Sequence, residues 1–224
     1  MYAHRWSDGS AIDLPVGKVV CIGRNYAEHA QELNNPIPKQ PLLFIKPMTA
    51  LTSMQPSWMI PENQGVVHHE LELALLIGER LSKTDSDEAM SSIQGVGLGL
   101  DLTLRDLQEQ LKHKGQPWER AKAFDGSCPM SEFVALRSIA DVDKLSLSLM
   151  VNSEQRQSGC VADMIVPLEP LMQHICQTFT LLPGDIVLTG TPAGVGPVVV
   201  NDSLSLRLFD DRKTYLQLDT RVAQ

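Results

Sequence analysis

Residues 65–78 read GVVHHELELALLIG, and how this stretch folds decides how the rest is read. As a β-strand its side chains alternate. His68, Glu70 and Glu72 then share one face, and His69, Leu71, Leu73 and Leu75 share the other. Two carboxylates on one side of an otherwise apolar strand are costly to bury without positive charge nearby. A divalent cation would supply that charge, whereas a solvated edge strand would avoid the cost altogether. The neighbouring sequence has to choose between the two.

Downstream, Ile93–Asp101 (IQGVGLGLD) has three alternating glycines in an apolar run, the pattern of a strand against which something packs closely, and it ends in a third acid, Asp101. Thr103 then opens a predicted helix as its cap with Asp106 as partner. Arg105 and Gln108 lie on this helix near Asp101, and Gly115 closes it. The segment Pro117–Phe124 follows and carries Lys122. Upstream, Lys18–Gly23 reads as a strand leading into Arg24 and a short helix, AEHAQEL, capped by Asn25. His29 and Glu32 are three apart on that helix and share a face. A carboxylate beside an imidazole raises its basicity, which suits a general base; a plain surface pair has the same spacing. Asn34–Pro38 ends the helix in a loop. Pro41–Pro47 reads as a strand with Lys46 at its end, placed to meet a substrate carboxylate if it stands at the mouth of a site. Asn152–Gly159 reads as a polar turn region, Leu168–Thr180 as a helix with a buried face, and Leu182–Pro197 as a strand followed by a Gly/Pro-rich loop. That loop can offer backbone N–H groups and the Thr191 hydroxyl to an anion.

Composition narrows the classes. The chain has 224 residues and a formal charge of −8, with no Lys/Arg cluster, which argues against nucleic acid or an anionic membrane as partner. The length suits one domain over 1–224. Met1–Ala11 lacks a signal-peptide pattern, and no apolar run is long enough to span a bilayer. The four cysteines form no CxxC and read as thiols of a reducing compartment, so a cytoplasmic protein is expected.

The stretches IGRNYAEHAQEL (22–33), LFIKP (43–47), HHELEL (68–73), LDLTLRDLQ (100–108), PWERAKAFDGSCP (117–129) and LPGDIVLTGTPAGVGP (182–197) occur together in this order. In that combination, over roughly residues 15–210, the chain resembles the fumarylacetoacetate hydrolase family, most closely its small acylpyruvase-type members. The resemblance implies a β-rich α+β fold, with a rolled mixed sheet around a metal site and short peripheral helices, and a homodimer. It places Mg²⁺ or Mn²⁺ on Glu70, Glu72 and Asp101. The water-activating pair falls on His29 and Glu32, the site lysine on Lys122, and substrate contacts on Arg24, Lys46, Gln108 and Thr191. The expected reaction is metal-dependent hydrolysis of a C–C bond in small 2,4-dioxo acids, giving pyruvate and a carboxylic acid. The same scaffold admits oxaloacetate tautomerisation or decarboxylation, isomerisation of a 2-hydroxy-diene-dioate, or a non-catalytic metal- or carboxylate-binding role. The His29 helix and the loop after it are the expected lid.

Overall fold

The computed structural model describes residues 2–33, 36, 38, 40–83 and 86–224. Its centre is Leu71–Ile77, buried along its whole length between Ile186–Leu188 and Ile93–Leu100. A strand covered on both faces can be apolar at every position, as this one is after Glu72. Leu71, Leu73, Leu75 and Ile77 join one apolar cluster, while Ala74 and Leu76 join a smaller one on the opposite face. The chain therefore builds core on both sides of this strand.

From this centre the eight-stranded mixed sheet extends through Val19–Gly23 to Leu42–Lys46 on one side. On the other it runs through Cys128–Met130 to Leu51–Ser53, with Val134–Ala135 paired to Ile93–Leu100. It curls into a half-barrel. A five-stranded sheet contains Glu154–Cys160, Ser146–Val151, Ser203–Phe209, Thr214–Ala223 and Trp58–Met59, and a three-stranded sheet contains Gly196–Val198, Val67–His69 and Thr103–Leu104. The helices are short, the longest being Leu168–Thr178, so the fold is a β-rich α+β. Among the described residues no helix is long and apolar enough to cross a membrane.

The glycine run behaves as its pattern predicts. A Cβ on Gly99 would stand 2.7 Å from Leu188 Cδ2 and 2.9 Å from Met130 Sδ, so any other residue would push these two side chains aside.

Several local expectations give way to long-range contacts. The strand expected over 65–78 breaks at Glu70: Val67–His69 belongs to the three-stranded sheet and Leu71–Ile77 to the eight-stranded one. Asn25 caps no helix. Its side chain instead bonds the backbone of Thr189 and Val166. Thr103 lies in a two-residue strand, and its hydroxyl is turned toward Lys122. The stretch expected as a polar turn is the strand Glu154–Cys160, paired with Ser146–Val151.

Candidate active site

The three acids converge. The register Leu71 to Leu100, together with the Asp101 N–H bond to Glu70 O (2.8 Å), sets all three at one end of a single antiparallel pair. One oxygen from each carboxylate lies within 4.8 Å of the others, and all three residues are buried.

Cations surround them unevenly. Lys122 spends its three N–H donors on Glu70 Oε2 (2.8 Å), Asp101 Oδ2 (2.6 Å) and Thr103 Oγ1 (2.7 Å). Arg105 pairs with the other oxygen of Glu70 and donates to Gln108 Oε1 (2.8 Å). Glu72 makes no ion pair among the described residues, and its Oε2 accepts only the Gly190 N–H (2.6 Å). Burial, and then the nearby Asp101 and Glu70, push Glu72 well above the usual carboxylate range. Burial would raise Glu70 too, but Lys122 and Arg105 hold it well below that range. Burial works against the Lys122 ammonium, and Asp101 and Glu70 more than compensate, so its pKa is raised.

Lys46, expected at the substrate, stands elsewhere. It is 0 % exposed and lies behind the triad, not on the cleft wall. Its ammonium donates to the carbonyls of Lys122 and Ser127 and lies 2.8 Å from Asp101 Oδ1. With Leu102 O and Ser127 Oγ also in reach, oxygens inside the fold take the place of solvent for this side chain. Asp101 is thereby paired on both oxygens, Oδ1 with Lys46 and Oδ2 with Lys122. An acid with no ion pair among the described residues, Glu72, beside two more carboxylates in an all-oxygen donor set fits a hard divalent ion held by Glu70, Glu72 and Asp101.

The other expected residues line a cleft enclosing about 450 Å³, part of it open to solvent: Arg24, His29, Gln108 and Thr191, with Glu70, Glu72 and Lys122 on the floor. His29 is buried, and desolvation lowers its pKa although Glu70 and Glu32 act to raise it, so the imidazole is neutral at pH 7. Glu32 is a loose partner. Its carboxylate lies 3.5 Å from His29 Nδ1 and accepts the Gly194 N–H at 3.1 and 3.2 Å. Arg24 takes the left-handed backbone (φ 62°) and donates to Pro36 O at 3.3 Å. Asn34, Asn35 and Ile37 of the expected lid lie outside the described residues.

Two residues with no assigned role prove central to this geometry. Arg105, noted in the sequence only for its place near Asp101, is a wall of the cleft. Gln157 had no signal at all, because it lies in the supposed turn. Its carboxamide is buried, with Oε1 2.9 Å from both His69 Nδ1 and the Leu71 N–H, and it donates to Thr191 Oγ1 (2.7 Å) and Pro192 O (2.8 Å). It thus ties the break at Glu70 to the Thr191 loop. Gln157→Leu leaves these partners unsatisfied in the interior and is expected to cost about 3 kcal/mol, read as a shift of the urea midpoint at unchanged m. A loss below about 1 kcal/mol would show that the break holds itself.

Fold and cleft together define a curled mixed-sheet protein with a buried acid triad, a neutral histidine and fixed cations facing one small opening. The family description Fumarylacetoacetate (FAA) hydrolase C-terminal matches residues 18–221, and the chain belongs to this family of enzymes. It is 50% identical over 223 residues to the oxaloacetate tautomerase YcgM of Escherichia coli (strain K12), covering 99% of this chain and 100% of the relative. A crystal structure from Yersinia pestis CO92, described as a fumarylacetoacetate hydrolase family protein, superposes with TM-score 0.95 at 48% identity and covers 99% of this chain and 100% of that one. The fumarylpyruvate hydrolase of Pseudomonas aeruginosa, solved with Mn²⁺ and pyruvate, superposes with TM-score 0.88 at 32% identity, covering 99% and 95%.

Proposed function

We propose that the chain is a Mg²⁺- or Mn²⁺-dependent tautomerase of oxaloacetate, interconverting its enol and keto forms. The observation that carries this is the buried, neutral His29 facing the same small cleft as the triad and Lys122, with Glu32 only loosely engaged. Tautomerisation needs one base able to take and return a proton, and it needs no activated water. The full-length similarity to a tautomerase supports the same choice, which reverses the order of preference set by the sequence.

When bound, a divalent ion held by Glu70, Glu72 and Asp101 supplies Lewis acidity and orientation to the substrate's carboxylate and carbonyl oxygens. The cations of Arg105 and Arg24 draw in a dianionic acid, and Gln108 offers it a carboxamide. His29 moves the proton at C3 of the substrate. Lys122, whose three N–H donors are already taken, lends its positive charge and not a hydrogen bond to the C2 oxygen as that proton leaves.

Hydrolysis of short acylpyruvates is the second reading, favoured by Glu32 standing within reach of His29. There His29 would deprotonate a water that attacks C4. The C3–C4 bond would break to give pyruvate and a carboxylic acid.

Enolic oxaloacetate, mixed into buffer with Mg²⁺ and protein, should lose its enol absorbance faster than in buffer alone, and EDTA should abolish the difference. Cleavage of acetylpyruvate with no effect on oxaloacetate would hand the assignment to hydrolysis, and inertness toward both would end the enzymatic reading. The lowered pKa of His29 makes a second expectation. The imidazole stays neutral until the pH falls below its ordinary value of about 6.5, so kcat/KM should hold from pH 8 downward and drop only below about 6.5. His29→Ala should cost about 10²- to 10⁴-fold in turnover. Wild-type turnover in that variant would remove His29 from the mechanism.

A further inference from the structure

The floor of the cleft is ionic, but one wall is not. Leu42 and Phe44 of the edge strand Leu42–Lys46 and Trp118, just before the helix Glu119–Lys122, line it together. The Phe44 and Trp118 rings meet edge to face, with centroids 6.2 Å apart at 61°. Phe44 is also held from the floor, where Lys122 Nζ lies 5.3 Å from its ring centroid. The same three side chains line a second groove, together with Leu43, Ile45, Gln116, Pro117, Glu119 and Phe179. One layer of side chains therefore separates the cleft from an apolar groove that is itself open to solvent.

We propose that the Phe44–Trp118 wall determines specificity, limiting this enzyme to 2-oxo acids of about four or five carbons, and that removing the indole joins cleft and groove into a channel for longer acyl tails. This deepens the proposed function and rests on it for the class of ligand. The chemistry of the two spaces supports the claim. Charged groups converge on the end where a 2-oxo carboxylate would sit, while the space beyond Trp118 is lined mainly by Leu43, Ile45, Pro117 and Phe179, with Gln116 and Glu119 its only polar side chains among the described residues, a lining that suits a hydrocarbon chain. Lys122 would stay in place because its three acceptors do not involve Trp118.

The test measures binding apart from turnover. Straight-chain 2-oxo acids of four to eight carbons would be titrated into the Mg²⁺-loaded wild type, Trp118→Ala and Trp118→Phe. Wild type should bind the short acids and lose affinity beyond five carbons. Trp118→Ala should shift the eight-to-four-carbon affinity ratio by on the order of tenfold or more in favour of the long acid, since each methylene that finds apolar room is worth about fourfold. Trp118→Phe keeps a ring in the wall and should follow wild type. If Trp118→Ala proves poorly folded by its melting temperature, Leu42→Ala opens the same wall from the strand side and should shift the ratio in the same direction. Long acids binding wild type as well as short ones, or a folded Trp118→Ala or Leu42→Ala with an unchanged ratio, would overturn the proposal. A chain-length cut-off without turnover of any 2-oxo acid would leave the wall standing and sink only the assigned reaction. Failure of every acid to bind would sink both.

Discussion

Glu72→Gln is expected to weaken Mg²⁺ and Mn²⁺ binding by more than about 100-fold, the upper end of what loss of an orienting partner costs, and to abolish metal-dependent turnover. The metal-free variant is expected to be at least as stable as wild type. The substitution is nearly isosteric and keeps an oxygen for the Gly190 N–H, which lies 2.6 Å from Glu72 Oε2. What it removes is the one acid of the triad with no ion pair among the described residues. Burial and the two neighbouring acids raise the Glu72 carboxyl in the folded chain, so the folded state holds this proton to higher pH than the unfolded state does. The stability linked to the group is complete below its ordinary pKa of about 4.3 and drains away as pH rises toward the raised value. Glutamine has no such loss. In EDTA the variant's advantage in melting temperature should therefore grow as pH is raised above about 4.3. Titration calorimetry with the metal and thermal melts in EDTA read the two halves separately. Retained tight metal binding would remove Glu72 from the ligand set. A lower melting temperature in EDTA would mean that the charge was compensated all along.

Lys46→Met should give the largest stability loss, about 3–5 kcal/mol, or a fall of about 10 °C in melting temperature for a chain of this size. The ammonium is wholly enclosed, held by the carbonyls of Lys122 and Ser127 and facing Asp101 Oδ1. Methionine fills the space but strands those oxygens and leaves Asp101 with Lys122 as its one remaining ion-pair partner among the described residues. Lys144, exposed beside Asp141, serves as the control, and Lys144→Ala should change stability by less than about 0.5 kcal/mol. A Lys46→Met protein melting within about 2 °C of wild type would mean that water reaches this cage. The substitution reaches the active site only through Asp101 and the backbone of Lys122, so cation affinity should fall along with stability.

What the sequence disclosed well is what short-range pattern controls. Val19–Gly23, Leu42–Lys46, Ile93–Leu100 and Leu168–Thr178 lie where alternation and helical periodicity place them. The positions of the acids were legible as well, because three carboxylates in apolar strands demand explanation. Spacing left a cation site open against a solvated strand for the acids, and a general base open against a surface pair for His29 and Glu32; the family resemblance chose between them and alone supplied the role of Lys122. What stayed hidden was decided by partners far along the chain. At the break at Glu70, the Leu71 N–H is met by Gln157, 86 residues further along the chain. Asn25 and Thr103 have ideal capping chemistry, yet their polar atoms are taken by Val166, Thr189 and Lys122. For Lys46, the strand end could be read but not the direction of its ammonium. Alternation assigns a side chain to a face without saying which face meets the substrate.

All three acids sit at one end of a single strand pair, Leu71–Ile77 with Ile93–Leu100, whereas His29, Lys122 and Trp118 are carried by short peripheral helices and their flanks. The two halves can accordingly be inherited on different terms. A substitution in the strand pair strikes both apolar clusters and the acid triad at once. Substitutions in the helices and their flanks alter His29, Lys122 or the wall of the cleft without disturbing the sheet. A lineage built on this chain can acquire new reactions by substitution at a few peripheral positions, and its descendants should differ in chemistry long before they differ in how they hold a cation.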